Sequence, residues 1–142
     1  LIKSAVRPDY PQDQGAHEFT YALLPHSGDY VEGRTVQEAF ALNEPMRALI
    51  GEAELPYRSF LTFDNEQVEL DAVKKSEDGN YIVIRFHEFA GNRHKVTICP
   101  EFEIASWSES DLREHPVRAK CVSKEIKVEL RPYEIKTILL ES

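Results

Sequence analysis

The residues best equipped for chemistry lie in a polar loop near the N-terminus, Tyr10 to His17. The loop contains an acid, two amides, a glycine and a histidine, and it leads directly into Glu18 to Leu24, which alternates apolar and polar residues. Sheet proteins often place function in side-chain-rich loops fixed to the start of a strand. The loop is therefore the first candidate for a binding site.

The histidines suggest a metal site, but their spacing argues against one. His17 and His26 lie at opposite ends of one predicted strand, and no pair has the H-x-x-x-H form that places two ligands on one helix face. His87 and Glu88 are adjacent in another predicted strand, so they point to opposite faces of its sheet. We therefore predict no metal ligand and no bound cofactor in this chain.

Catalysis by carboxylates or nucleophiles also lacks support. Asp9 and Asp13 share the polar loop and Asp29 follows a predicted strand, but nothing in the sequence fixes the separation that a pair of glycosidase carboxylates needs. A solvated acidic loop is the favoured interpretation. Ser27 is not in a G-x-S-x-G turn, and no histidine motif accompanies Cys99. No catalytic residue is predicted.

The cysteines and the tryptophan are assigned to the interior. Cys99 and Cys121 lie in apolar, strand-like surroundings, which favours two buried thiols in a reducing compartment over a disulfide. Trp107 alternates with its neighbours along a predicted strand, which favours core packing over stacking on a sugar ring. Tyr10, between an acid and a proline, is the aromatic residue most expected to be exposed.

Composition bounds the class of protein. The chain has 142 residues, of which 42% are hydrophobic and 30% charged, values typical of one globular domain with a real core. Its net charge of −8 repels nucleic-acid backbones and anionic membranes. No apolar run approaches the roughly 20 residues of a membrane-spanning helix. We expect neither nucleic acid nor a membrane as a partner.

Most of the chain alternates with period two, which predicts strands. Thr35 and Glu38 have the spacing of a helix capping box, and helical spacing follows, so we predict one short helix near residues 36–43. Asp78, Gly79 and Asn80 predict a hairpin, and residues 67–99 a three-stranded meander. The fold class is all-β, an antiparallel β-sandwich of about seven or eight strands, with residues 1–142 forming a single domain. The predicted strands are Glu18–Leu24, Tyr57–Phe63, Val68–Val73, Tyr81–Phe89, Lys95–Cys99, Phe102–Trp107, Glu125–Leu130 and Glu134–Leu140.

Three stretches resemble the C-terminal region of α-mannosidases of glycoside hydrolase family 38, especially the bacterial cytosolic branch. Arg7 to His26 resembles the family's YPD…DQGxHxFxYxLxPH segment. Val36 to Pro45 is similar to its A-aromatic-x-L-N-x-P segment, and Arg131 to Leu140 to its P-(F/Y)-E-I-K-T ending. The three stretches occur in family order and together span nearly the whole chain.

The resemblance implies that this chain is the C-terminal β-domain of a larger, metal-dependent mannosidase, an expectation that the missing initial Met supports. The family's zinc or other divalent metal and its catalytic aspartate lie in an N-terminal domain, followed by a helical domain. Those two domains and a mannoside are the implied partners, and the implied location is the cytoplasm. By itself the chain is expected to be inactive.

The resemblance also gives the polar loop a role beside the substrate. The implied substrate-binding residues are Arg7, Asp13, Gln14, Gly15 and His17. Asp13 and Gln14 would hydrogen-bond sugar hydroxyls, Gly15 would let the backbone come close, Arg7 would orient Asp13 or bind a hydroxyl, and His17 would brace the loop. Packing of this loop on the missing domain remains an equal alternative. A stand-alone carbohydrate-binding module and a structural or assembly module also remain open.

Overall fold

The computed structural model describes residue 7 and residues 14–52 and 59–141. The chain divides into two compact units, Leu1–Asn43 and Glu44–Ser142. Within the described residues the first unit contains the helix α1 (Thr35–Asn43), and the second contains all seven strands. The prediction of a short helix is confirmed. A single sandwich domain over residues 1–142 stays a prediction.

The second unit is built from two antiparallel sheets, which confirms the all-β sandwich. One sheet has three strands in the order β1-β4-β6, and the other has four in the order β2-β3-β7-β5. The strands of the described chain are β1 (Leu61–Phe63), β2 (Val68–Lys75), β3 (Ile82–Glu88), β4 (His94–Pro100), β5 (Ser106–Ser110), β6 (Ile126–Leu130) and β7 (Ile135–Glu141).

The core lies between the two sheets, because alternate residues of each strand face inward. β3 and β7 each contribute two fully buried apolar side chains to this core, and β4 and β6 contribute their own inward rows. The Phe63 and Phe86 rings approach across the core with 5.3 Å between their centroids. Trp107 packs against this cluster, which confirms its assignment to the core. The inward rows are Ile84, Phe86, Ile138 and Leu140 from the four-stranded sheet and Val96, Ile98, Ile126 and Val128 from the three-stranded sheet.

The predicted meander over residues 67–99 is wrong. The hairpin between β2 and β3 is present, and Gly79 has the positive φ of 77° that its turn requires. β4, however, pairs with β1 and β6 in the opposite sheet, while the second partner of β3 is β7. The alternation in β3 and β4 shows which residues face inward, and both sheets of a sandwich satisfy that pattern equally well.

One further predicted strand is absent, and another begins later than predicted. Residues 18–24 alternate but do not form a strand, because within the described chain no other strand pairs with them. The strand predicted from Phe102 begins at Ser106, although Ile104 is buried before it. An apolar–polar alternation therefore locates burial better than it locates hydrogen-bonded pairing.

The two cysteines are free, but the prediction that they are buried is wrong. Cys99 and Cys121 are both exposed. Cys99 follows the buried Ile98 along β4, so alternation turns it outward. Cys121 pairs through its backbone with Trp107 in an isolated bridge outside the regular strands. Apolar neighbours in the sequence did not distinguish the two faces of these segments.

One buried carboxylate links two connections of the sandwich. Glu88 ends β3 on the inward face and is 0% exposed. Its oxygens accept hydrogen bonds from the backbone N–H groups of Ala90 (2.8 Å), Gly91 (2.9 Å) and Tyr133 (2.9 Å). The first two groups belong to the link between β3 and β4, and the third belongs to the turn between β6 and β7. We call the Glu88 carboxylate and these three N–H groups the Glu88 clamp.

The clamp also determines the protonation of Glu88. Burial disfavours the ionised form and raises its pKa, but hydrogen bonds from backbone N–H groups, among them those of Tyr133 and Asn92, outweigh burial, so the pKa is lowered. Gly91 completes the packing, because a Cβ on it would collide with the Tyr133 ring. The ionised carboxylate is therefore the form that the fold requires.

Replacing a core isoleucine should cost far more than replacing an exposed one on the same strand. Ile138→Ala should lower the free energy of unfolding by about 2–5 kcal/mol, since it leaves a cavity between the sheets. Ile135→Ala, at a position 55% exposed, should cost about 1 kcal/mol or less. Urea unfolding of both variants measures the difference. Equal losses would contradict the placement of β7.

Neutralising Glu88 should destabilise the sandwich in a pH-dependent way. Glu88→Gln should lower the free energy of unfolding at neutral pH by roughly 2–3 kcal/mol, since charge-assisted hydrogen bonds are weakened. Because the folded pKa is lowered, the contribution of the wild-type carboxylate is complete above its ordinary value of 4.5 and is lost as the pH falls through the folded pKa.

Chemical denaturation at several pH values tests this effect. The gap between wild type and Glu88→Gln should narrow as the solution becomes acidic. Glu103→Gln is the matched control, because the Glu103 side chain is 93% exposed and makes only a 3.4 Å contact with Lys124. A gap that stays constant from neutral to acidic pH would show that the charge of Glu88 does not stabilise the fold.

Candidate functional site

The described part of the polar loop is fully open to solvent. Arg7, Gln14, Gly15 and His17 are all exposed, and Asp13 lies outside the described residues. Gly15 has φ +143°, and a Cβ built on it would meet no atom within 4 Å. The backbone conformation at this position, and not a lack of space, therefore favours glycine. The open space beside Gly15 permits close approach of a ligand to the backbone.

His17 lines a depression in the first unit, together with the C-terminal end of α1. The depression has a volume of about 660 Å³ and is lined by His17, Glu18, Phe19, Thr20, Leu42 and Asn43. The Asn43 side chain donates a hydrogen bond to the Ala39 carbonyl at 2.8 Å, which fixes it at the helix end. The structure brings His17 to this depression, but Arg7, Gln14 and Gly15 do not line it.

The turn before α1 is fixed by Asp29 and Glu32. The Asp29 carboxylate accepts hydrogen bonds from the N–H groups of Val31 (2.8 Å) and Glu32 (2.9 Å), and the Glu32 carboxylate accepts one from the Asp29 N–H at 3.2 Å. This reciprocal pair is a capping box. Asp29 therefore has a structural role, and it is not available as half of a catalytic pair.

The capping box predicted at Thr35 and Glu38 is wrong. Thr35 is already within α1, and its Oγ1 is buried with no hydrogen-bond partner among the described residues. The Glu38 N–H donates instead to the Arg34 carbonyl at 3.0 Å, which makes Arg34 the residue before the helix. The signal for the true box, Asp29-x-x-Glu32, has the same spacing and lies six residues earlier.

The polar groups at the loop and depression suit hydroxyl recognition. Amides and an imidazole can both donate and accept hydrogen bonds in a solvated depression, and a carboxylate can accept them. Within the described residues, no group of three His, Cys, Asp or Glu side chains is placed to hold a metal ion. Among those same residues, no helix has the length and apolar character needed to cross a bilayer.

Apolar side chains accompany this polar site on the surface of the first unit. α1 has no buried residue. The segment before it exposes Phe19 (54%), Tyr21 (74%) and Leu23 (91%). Removing such side chains from water is favourable, so contiguous exposed apolar residues mark surfaces that another protein surface covers.

Two features of the sandwich were not predicted from the sequence: the Glu88 clamp and the exposed Tyr133. Tyr133 is 68% exposed and has a φ of 58°, which is rare for a bulky residue. It lines a second depression of about 690 Å³ in the sandwich, beside Ile135 and the pair of His87 and Asp71, whose Nδ1 and Oδ1 atoms are 2.8 Å apart. A signal for the clamp was present, because Glu88 shares the alternation of Ile84 and Phe86 and precedes a glycine turn.

The chain is similar to much longer α-mannosidases. Human alpha-mannosidase 2C1 is 29% identical over 148 aligned residues, which cover 99% of this chain and 14% of the human protein. The mouse protein of the same name is 26% identical with the same coverage. Alpha-mannosidase G of Dictyostelium discoideum is 30% identical over 100 residues, covering 64% of this chain and 9% of the relative. No solved structure shows a significant match.

A family model identifies the domain. The glycosyl hydrolases family 38 C-terminal beta sandwich domain matches residues 67–138, half of the chain, from the start of β2 into β7. The matched part contains most of both sheets and the Glu88 clamp. The fold and this match agree, and the chain belongs to the family 38 C-terminal β-sandwich domains of glycosyl hydrolases.

Proposed function

We propose that this chain is the C-terminal domain of an α-mannosidase and supports a catalytic domain that lies outside it. One observation carries the proposal: human alpha-mannosidase 2C1 aligns with 99% of this chain over only 14% of its own length. A domain that is a small part of a glycosidase contributes to hydrolysis through the parts it packs against. The proposed substrate of the larger protein is an α-mannoside.

The exposed apolar surface of the first unit is consistent with packing against the catalytic domain. Tyr21 and Leu23 are large, apolar and more than 70% exposed. Covering them with another domain would stabilise both partners through the hydrophobic effect. The proposed partners are the N-terminal catalytic and helical domains of the same polypeptide.

The polar loop is the proposed contribution to the substrate cleft. Arg7, Gln14, Gly15 and His17 are exposed, and Asp13 stands between them in the sequence. A carboxylate and an amide that accept hydroxyl hydrogen bonds, beside a glycine that permits close approach, would recognise a sugar ring. Arg7 would orient Asp13 or bind a hydroxyl directly, and His17 would brace the loop.

The divalent metal expected of the larger enzyme is not assigned to this chain. The described residues contain no group of three side chains suited to holding this metal ion. We also propose a cytoplasmic location, which the unbridged Cys99 and Cys121 support.

A carbohydrate-binding module is the second candidate, and exposed Tyr133 favours it. Its ring is 68% exposed, and sugars stack on aromatic rings through their C–H faces. Sugar-binding modules usually present a row of such rings, however, and Trp107 packs against the core instead. A mannose-oligomer titration of the full chain distinguishes the two: saturable binding favours the module.

Hydrolysis should require residues beyond this chain. The 142-residue chain should not hydrolyse an aryl α-mannoside, because the described residues contain no group of three side chains suited to holding the metal ion that the larger enzyme is expected to use. A polypeptide that joins it to a family 38 catalytic domain should be active, and deletion of this chain should reduce that activity. Turnover by the chain alone, or full activity after deletion, would contradict the supporting role.

Asp13 should matter for substrate binding in the joined polypeptide. Asp13→Ala should lower kcat/KM for an aryl α-mannoside by roughly tenfold or more, the loss expected for a hydrogen bond to a charged group. The control is Glu52→Ala, an exposed carboxylate outside the loop. Thermal unfolding of both variants should match wild type. Unchanged kcat/KM for Asp13→Ala would leave the loop as an interface element only.

A further inference from the structure

A cationic groove in the sandwich has no role in the proposed hydrolysis. It encloses about 730 Å³ and combines side chains from both sheets. Six basic and four acidic residues line it, a local excess of positive charge in a chain whose net charge is −8. The basic residues are Arg93, Lys95, Arg118, Lys127, Arg131 and Lys136, and the acidic residues are Asp64, Glu109, Glu129 and Glu134.

Four of the six cations have carboxylate partners. Lys95 lies 3.6 Å from Glu129, and Lys127 lies 3.0 Å from Glu125. Lys136 and Arg118 both contact Glu109, at 3.1 Å and 3.5 Å. Arg93 and Arg131 form no ion pair within the described residues, and both are exposed. Arg93 and Arg131 are therefore the two groove cations that no described carboxylate pairs with.

Those two arginines lie beside the same end of one ladder and line the same groove. The ladder between β4 and β6 ends with the pair of His94 and Leu130, and Arg93 and Arg131 are the residues just beyond that pair. Two positive charges in one groove repel each other. The next cross-strand pair that faces solvent, Lys95 and Glu129, carries opposite charges instead. An anion between the arginines would remove their repulsion.

The Glu88 clamp holds the backbone of the two turns that carry these arginines. Arg93 ends the link whose Ala90 and Gly91 N–H groups donate to Glu88, and Arg131 begins the turn whose Tyr133 N–H does the same. The Arg131 N–H also donates to the Glu134 carboxylate at 2.7 Å. The backbone of such a site loses little freedom when a ligand binds, so the ordering cost falls on the two side chains.

We propose that Arg93 and Arg131 bind a phosphate group, either as free phosphate or as the phosphate monoester of a small sugar. A phosphate monoester carries a charge of about −1.5 to −2 at neutral pH, which balances two guanidinium groups. The planar forks of arginine match its oxygens in pairs. The groove has room beyond the phosphate for a sugar, and its carboxylates can accept hydroxyl hydrogen bonds.

Thermal unfolding of the full chain in inorganic phosphate tests the site. Ionic strength is held constant with chloride, so that screening is the same in every sample. The wild-type Tm should rise and saturate, since a ligand that binds only the folded state stabilises it. Arg93→Gln and Arg131→Gln should each weaken the apparent affinity roughly ten- to a hundredfold, and the double variant should show no response.

The variants themselves should remain folded, because each replaces an exposed side chain that forms no ion pair within the described residues. Without phosphate their Tm should be no lower than that of wild type. Arg113→Gln is the matched control, since Arg113 is exposed and does not line the groove, and it should keep the full phosphate response. An equal response in wild type and the double variant, or an equal rise with chloride alone, would overturn the proposal.

Glucose 6-phosphate and glucose distinguish the source of the phosphate. Tighter binding of glucose 6-phosphate than of inorganic phosphate would support the sugar monoester, and weaker or equal binding would support free phosphate. A Tm rise with glucose alone that survives in the double variant would show that the groove recognises hydroxyl groups without the arginines, which would contradict the proposal. Failure of the phosphate test leaves the mannosidase proposal untouched.

Discussion

A buried carboxylate without water must be satisfied by the protein, and Glu88 is satisfied by backbone N–H groups from two separate connections. Those connections join β3 to β4 and β6 to β7, so each crosses from one sheet to the other. The carboxylate thereby fixes the spacing of the sheets at one end of the sandwich. Phe86 lies on β3, which ends at the clamp, and Ile138 lies on β7, which begins just after it, so the clamp ties both core strands to the same end of the sandwich.

The alternation of apolar residues was sufficient to predict the sandwich and the burial of positions such as Ile84 and Val128. It could not assign strands to sheets. β3 and β4 are consecutive and both alternate, yet they lie in opposite sheets, because the link between them is organised by Glu88 instead of a tight hairpin. Residues 18–24 show the reverse error: alternation without a pairing partner produced an extended segment, since a strand needs neighbours as well as a pattern.

The candidate site was predictable only as a set of polar residue types. Sequence could place Gln14, Gly15 and His17 in an exposed loop, but the depression beside His17 depends on the end of α1, which contributes Leu42 and Asn43. α1 is preceded by the turn that the capping box of Asp29 and Glu32 closes. Two candidate boxes with the same spacing occur six residues apart, and only the backbone hydrogen bonds distinguish the box that forms.

The same clamp that stabilises the sandwich imposes a cost at its edge. By fixing the turns after β3 and β6, Glu88 holds the backbone near Arg93 and Arg131 at one end of the ladder between β4 and β6, where both positive charges line the same groove. Lys95 and Glu129, the next solvent-facing pair, show that this ladder accommodates opposite charges readily. Two exposed guanidinium groups that form no ion pair among the described residues contribute little to the stability of the fold, and a bound anion would balance their charge. The Glu88 carboxylate thus stabilises one end of the sandwich and holds the two turns from which Arg93 and Arg131 extend into the cationic groove.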